Sequence, residues 1–416
     1  MTYNNSREFA LELDKNDPLL SYQEKFHFPL QENGEKHIYL CGNSLGLQSK
    51  NTESFVIQEL DDWKKLGVEG HFQARKPWLP YHEFLSESYS KIIGSKESEV
   101  VAMNTLSVNL HLMLVSFYRP DTLRNKIIIE GDAFPSDIYA VESHIRHHGL
   151  DPSESLIKLK PRRGEVTIRL EDVKSVIQQN ADSVSLIMLG GVNYYTGQVF
   201  EMKEIAEEAH KHNILVGFDL AHAVGNIPLS LHDWNVDFAV WCSYKYLNSG
   251  PGSVAGVFIH EKHHSQDLER FAGWWGHDKE SRFKMPDEFV PIKTAEGWQL
   301  SNPPILSLAA VRAALSIFDE VGMLSLVTKS KKLTSYLVFL LNQISTDRIN
   351  IITPEQRGCQ ISISVKNGNK DLFDEITKKG VIADWREPDV IRVAPVPLYN
   401  SFLDVYNFYK VLEDIL

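Results

Sequence analysis

Apolar residues recur three or four positions apart over Thr52 to Lys65, Asn109 to Tyr118, Ser136 to His147, Leu170 to Gln179 and Met202 to His212, the spacing that lines one face of an α-helix. Between these stretches the pattern changes. Lys126 to Glu130, Ser185 to Leu189, Ile214 to Phe218, Phe238 to Trp241 and Val254 to Ile259 are apolar nearly throughout instead of alternating, which predicts strands buried on both faces. Strand and helix alternate across residues 90 to 260, so the pattern predicts an α/β domain around a mostly parallel sheet. Ligands of such sheets gather at the carboxyl ends of the strands. From Leu306 a long helical pattern runs towards Ile344. A strand, a helix and a strand follow at Gln360 to Val365, Lys370 to Lys379 and Val390 to Ala394, predicting a smaller C-terminal α/β domain.

At 416 residues the chain is long enough for roughly two to three domains. Its balance of 43% hydrophobic and 24% charged residues excludes disorder and fibrous classes. A net charge of −12 repels phosphate backbones and anionic membranes, so nucleic acid and membrane are not expected partners. Cys41, Cys242 and Cys359 lie far apart without C-x-x-C spacing, which suits a reducing cytoplasm and offers no structural zinc site. Met1 to Asp14 lacks an apolar signal segment, and no stretch reaches bilayer-spanning length.

Two segments that follow buried strands carry candidate chemistry. In Ile214-Leu-Val-Gly-Phe-Asp219-Leu-Ala-His222 an acid leaves an apolar strand, either as a helix cap or as a partner for a ligand cation or metal. In Phe238-Ala-Val-Trp-Cys-Ser-Tyr244-Lys245-Tyr-Leu-Asn248 a lysine hemmed by aromatics precedes a glycine-rich turn, surroundings that favour a free amine able to attack a carbonyl. An acid on one strand end and a lysine on the next suggest pyridoxal phosphate, because the lysine holds the aldehyde and the acid keeps the pyridine nitrogen protonated. Gly42-Asn-Ser44-Leu-Gly46 satisfies the G-x-S-x-G pattern of serine hydrolases, although a glycine-supported turn is the more ordinary reading. Gly250-Pro-Gly-Ser leads into a strand, where a dinucleotide fingerprint must open a helix. The histidines His144, His147, His148, His263 and His264 have no metal-binding companions in sequence and read as solvated faces. Gly131-Asp-Ala-Phe134-Pro-Ser136-Asp137 reads as a helix start with an aromatic placed to stack. Arg392 sits inside an apolar strand, where it either faces solvent or forks onto a carboxylate.

With these residues assembled, the chain resembles the kynureninase family of fold-type I pyridoxal-phosphate enzymes. The resemblance rests on Tyr39-Leu-Cys-Gly-Asn-Ser-Leu-Gly46, Phe134-Pro-Ser-Asp137, Tyr195-Thr-Gly197, Phe218 to Asn226, Trp241 to Asn248, Ser301-Asn-Pro-Pro-Ile305 and Arg392 to Asn400. It implies a fold-type I transferase-like fold, with an N-terminal segment (1–50) packed on the small domain, a large cofactor-binding domain (51–305) and a small C-terminal domain (306–416). It further implies hydrolysis of kynurenine or 3-hydroxykynurenine to alanine and anthranilate or 3-hydroxyanthranilate. Lys245 then bonds the cofactor aldehyde, Asp219 pairs with the ring nitrogen and Phe134 stacks on the ring. Pro135, Ser136, Asp137 and His222 complete the cofactor shell, while Tyr244 and the Leu106–Ser107 turn take the phosphate. Trp274 and Asn302 reach in from the second subunit of a homodimer. Arg392 holds the substrate carboxylate and His71 approaches the aromatic end. His71 with Ser301 and Asn302 matches the branch favouring 3-hydroxykynurenine, and Tyr244 is suggested as a proton relay. Gly190-Gly191 departs from relatives that carry a larger or hydroxylated residue there. An aminotransferase or desulfurase-like enzyme would share Lys245 and Asp219, and a hydrolase would instead use Ser44.

Overall fold

In the computed structural model, which describes residues 3–416, one sheet of seven strands organises the large part of the chain. Its order is Val100–Ala102, Gly256–Ile259, Phe238–Trp241, Leu215–Asp219, Val184–Gly190, Lys126–Glu130, Leu156–Leu159. From Phe238–Trp241 to Leu156–Leu159 every pairing is parallel, and Gly256–Ile259 alone runs against both its neighbours. The unbroken apolar runs have a direct cause, because successive side chains of each strand enter opposite cores. Ile128 belongs to one hydrophobic cluster while Ile127 and Ile129 belong to the other, and Ala239 and Trp241 divide from Phe238 and Val240 in the same way.

Helices Pro135–His147, Leu170–Gln179 and Met202–Lys211 lie where the periodicity places them. Two elements differ. The helix expected from Asn109 starts at Leu106, three residues earlier, because Leu106, Ser107 and Val108 sit at its open end and contribute no buried stripe. The long pattern from Leu306 divides into Ile305–Val321 and Met323–Leu341 at Gly322, whose φ of +72° is a left-handed value that glycine adopts without strain.

Strands Asp384–Arg386, Val390–Val393, Ile361–Val365 and Ile349–Ile351 form a second, antiparallel sheet, with Met323–Leu341 and Phe402–Ile415 contributing to its core. Part of the N-terminal segment joins this core through Ala10 and Leu40, whereas Leu19, Phe26 and Tyr39 pack in the core of the large sheet. Helix Arg7–Lys15 packs on Phe402–Ile415, and Ile38–Tyr39 pairs in parallel with Val381–Ile382. The Asp14 carboxylate accepts the first free N–H groups of the last helix, from Phe402 at 2.6 Å and Leu403 at 3.0 Å. No helix among the described residues is long and apolar enough to cross a membrane.

Three of the histidines expected on solvated faces are buried: His144, His263 and His264. Each has a partner that explains its burial. His263 Nε2 lies 2.8 Å from Asp237 Oδ1, His264 Nε2 lies 2.9 Å from the Ile259 carbonyl, and His144 Nε2 lies 3.0 Å from His111 Nδ1. Burial, reinforced by the neighbouring histidines, lowers His144 to about 4, so its ring is neutral. Asp237 is the fully buried hub of its group. Burial alone would raise its carboxyl, but His210, His263 and Lys262 overcome that and hold it far below the usual carboxylate range.

Because the folded carboxyl titrates below the unfolded one, the stability it contributes is present above about pH 4 and is lost as the pH falls below that value. Asp237→Asn should therefore cost about 3 kcal/mol at pH 7, and the gap to the parent protein should close below about pH 4, as read from denaturant melts across pH. Packing between the central strands gives a second expectation. A Cβ on Gly217 would stand 2.0 Å from the Phe238 ring, so Gly217→Ala should lower the unfolding free energy by about 2 kcal/mol in the same assay.

Candidate functional site

The carboxyl ends of Lys126–Glu130, Val184–Gly190, Leu215–Asp219 and Phe238–Trp241 open into a cavity of about 280 Å³. Three strand ends deliver acids or a lysine to it. Lys245 follows Phe238–Trp241 and is held through its backbone: Gly46 N–H donates to the Tyr244 carbonyl at 2.8 Å, and Asn248 N–H donates to the Lys245 carbonyl at 3.0 Å. A Cβ on Gly46 would stand 2.4 Å from the Lys245 carbonyl oxygen, so this close approach requires glycine. The Gly42-Asn-Ser44-Leu-Gly46 segment thus forms a turn supporting the lysine, with Ser44 N–H donating to the Cys41 carbonyl at 3.0 Å.

Lys245 Nζ lies 3.0 Å from His222 Nε2 and 5.9 Å from the Phe134 ring centroid. Burial, then the charges of Lys245, Arg392 and Arg386, hold His222 well below its ordinary value. His222 Nδ1 has no partner among the described residues.

Asp219 closes a local turn by accepting Ala221 N–H at 2.7 Å, and its carboxyl is also hydrogen-bonded to Asp137. The acid thus caps a turn and not a helix. Burial, then the charge and hydrogen bond of Asp219, raise Asp137 well above the usual range, and burial raises Asp219 too. Asp137 Oδ1 is buried without a partner. Glu130, at the end of the next strand but one, is pushed up to about 7 by burial, against its hydrogen bonds to Asn193 and Gly190.

The opposite wall is the start of helix Leu106–Phe117. Thr105, in extended conformation, makes no side-chain cap, so the first-turn N–H groups have none from it, and Thr105, Leu106 and Ser107 line the cavity. Such a helix end is an anion site, and Tyr244, whose phenol burial keeps protonated, lines the same cavity. A lysine, a buried pair of acids, an imidazole with one unpartnered nitrogen, an aromatic face and a helix N-terminus together suit a phosphorylated pyridine aldehyde.

Of the residues expected from sequence, Leu106, Ser107, Phe134, Ser136, Asp137, Asp219, His222, Tyr244 and Lys245 line the cavity. Leu106 and Ser107 do so as the first helical turn and not as a loop turn. Pro135, His71, Trp274, Asn302 and Arg392 are not in its lining. Pro135 is the first residue of its helix. His71 Nδ1 lies 2.9 Å from the Val68 carbonyl, with its ring against Trp78. Trp274 is 40% exposed and Asn302 is exposed. Arg392 does not face solvent: it is buried, with its guanidinium 2.8 Å from Asp384 and donating to the carbonyl of Tyr194, which does line the cavity.

Sequence reasoning missed Thr105, Glu130 and Tyr194. Glu130 carried a usable signal, since it is an acid at the polar end of a buried strand, as Asp219 is. Tyr194 sits in a turn whose pattern says nothing of its direction. Two further groups bring metal-ligating atoms together, but their polar atoms are already engaged. Glu99 accepts from Lys96 N–H, Glu261 N–H and His232, while His260 Nδ1 accepts from Lys262 N–H. In the His82–Glu83–Glu296 group the Lys279 ammonium occupies the place of a cation.

Comparison with solved structures identifies the fold. The chain is similar to a cysteine desulfurase from Thermococcus onnurineus, with a TM-score of 0.76, 16% identity and 97% of each chain covered. It is also similar to the cysteine desulfurase CsdA of Escherichia coli, with a TM-score of 0.75 and 13% identity over 100% of this chain and 99% of that one. These are fold-type I architectures. The profile of the kynureninase C-terminal domain matches residues 326–412. Over nearly the whole length the chain is 53% identical to the kynureninase of Myxococcus xanthus, covering 99% of this chain and 97% of that protein. The kynureninase of Flavobacterium psychrophilum is likewise 53% identical, over 99% of both. The cavity at the strand ends therefore belongs to a member of the kynureninase family.

Proposed function

We propose that the protein hydrolyses L-kynurenine and 3-hydroxy-L-kynurenine to L-alanine and anthranilate or 3-hydroxyanthranilate, with pyridoxal 5′-phosphate held in the strand-end cavity. The observation that carries this reading is Lys245 Nζ, hydrogen-bonded to a neutral His222 in a cavity it shares with the Asp137–Asp219 pair. Pyridoxal phosphate supplies an electron sink for negative charge developing at the substrate Cα. The chain's own groups do the rest. The Leu106 helix end, Ser107 and Tyr244 would hold the phosphate, Phe134 would cover a ring face, and the Asp219 carboxylate would favour a protonated ring nitrogen. Lys245 would hold the aldehyde group, and its Nζ would be placed to take the proton from the substrate Cα. His222 accepts a hydrogen bond from that amine and so orients it. Tyr244, adjacent in sequence and lining the same cavity, relays protons to the reacting carbons. Arg392 receives the α-carboxylate and His71 the aromatic ring.

A second copy of the chain completes the site with Trp274 and Asn302. Support comes from their exposure and from the apolar side chains Phe271, Phe283 and Met285, which stand exposed near Trp274 in sequence. Three free cysteines suit a reducing cytoplasm, and the products place the enzyme in tryptophan breakdown, feeding pyridine-nucleotide synthesis. The desulfurase reading has no thiol to use, because none of Cys41, Cys242 and Cys359 lines the cavity.

Turnover of the two substrates by the cofactor-loaded protein, followed through the fluorescent aromatic product, tests this reading. A higher kcat/KM for 3-hydroxy-L-kynurenine is expected, and Lys245→Ala should lose at least about a thousandfold in kcat. Absence of cleavage of both compounds, with sulfide released from cysteine instead, would overturn it.

A further inference from the structure

Glu130 is a buried acid that the reaction outlined above does not use, yet both its oxygens are engaged. Oε1 accepts Gly190 N–H and Oε2 accepts Asn193 Nδ2–H, each at 2.7 Å. The same Asn193 organises the turn beyond it. Its Oδ1 accepts Tyr195 N–H at 3.0 Å, Thr196 N–H at 2.8 Å and the Thr196 hydroxyl at 3.0 Å. That leaves the Tyr194 carbonyl turned outward, where it accepts from Arg392 Nη1 and, at 3.0 Å, from Gln360 Nε2.

Arg392 is thereby gripped from two sides. Asp384 takes its Nε–H at 3.3 Å and one Nη2–H at 2.8 Å, and the Tyr194 carbonyl takes one Nη1–H. A guanidinium has five N–H groups, so one on each terminal nitrogen is left without a protein partner among the described residues. Free guanidinium N–H groups of this kind are donors that a carboxylate accepts from. The position of that fork is set by the Tyr194 carbonyl, and the carbonyl by Asn193 and Glu130. The Gly190 departure falls into place here. A Cβ at position 190 would stand 2.8 Å from Glu130 Oε1, so the absent side chain leaves room for the carboxyl to reach both donors.

We propose that Glu130 is a positioning residue for the substrate carboxylate, acting through Asn193 on the Tyr194 carbonyl that holds Arg392. This rests on the kynurenine reading above and adds a residue that touches neither the α-carboxylate nor Arg392. Two substitutions break the link at different points. Glu130→Gln sets an amide NH₂ against one of the two donors, and Asn193→Ala removes the side chain between Glu130 and the turn while sparing the Glu130–Gly190 bond.

The discriminating ligand is the decarboxylated analogue of kynurenine, which keeps the amine, ketone and aromatic ring and lacks the group Arg392 receives. In the cofactor-loaded protein each variant should raise the KM for L-kynurenine about tenfold, with kcat within about threefold of the parent. The dissociation constant of the decarboxylated analogue, read from the cofactor's absorbance, should move less than twofold. An unchanged KM in both variants would overturn the proposal, as would equal weakening of both ligands, which is the mark of a merely structural role. Should Glu130→Gln fail to fold, Asn193→Ala decides alone. A parent protein inactive on L-kynurenine would sink the reaction and not this inference. The inference would then be read from L-alanine against ethylamine binding, where loss of affinity for alanine only is expected and equal loss overturns it.

Discussion

Charge buried at the carboxyl edge of a parallel sheet is the constraint from which the rest of this molecule follows. Glu130 and Asp219 end their strands almost inaccessible to water, Asp137 opens a helix beside them, and Lys245 stands among them. Isolated, each would cost several kcal/mol to bury in its charged form, so the protein shares hydrogen bonds among them. Asp137 and Asp219 both titrate above the usual carboxylate range, Glu130 accepts two N–H groups, and His222, held well below its ordinary value, is hydrogen-bonded to Lys245. The arrangement leaves specific vacancies in its hydrogen bonding, at His222 Nδ1 and Asp137 Oδ1. A ligand that brings an aldehyde, a basic ring nitrogen and an anionic group fits such a cavity.

Distant parts of the chain serve this edge. The Gly42–Gly46 turn props the backbone of Tyr244 and Lys245 from forty residues into the sequence, and the strand before it, Ile38–Tyr39, is tied to the C-terminal part. Leu40 accepts Ala394 N–H at 2.8 Å, and Asn400 Nδ2 donates to the Tyr39 carbonyl at 3.0 Å, so the N-terminal segment links the lysine to the strand carrying Arg392. Lys245 and Arg392 are thus braced by one segment. Gln360 and Ser362 reach back from the second sheet to the carbonyls of Tyr194 and Tyr195, closing the connection from the other side.

Much of this was legible in the residues. Continuous apolar runs such as Lys126 to Glu130 could only be strands feeding two cores, and Asp219 and Lys245 announced themselves as charged residues where a buried strand ends. What pattern could not reveal was pairing across space. His263 looks like a surface histidine until Asp237, twenty-six residues away, is seen beside it. Arg392 looks like an outward-facing strand residue until Asp384 and the Tyr194 carbonyl neutralise and hold it. The break at Gly322 depends on one backbone angle, which helical periodicity on either side conceals. Trp274 and Asn302 lie outside the cavity lining of the single chain, and their expected place in the site needs a second copy.

The account's central claim is that the buried edge exists to hold pyridoxal phosphate on Lys245. Borohydride reduction of the cofactor-loaded protein followed by peptide mass mapping tests it most directly, because reduction makes the bond to the cofactor permanent. The account predicts one pyridoxyl group per chain, on the peptide containing Lys245. A label on another lysine, or no label at all, would contradict it.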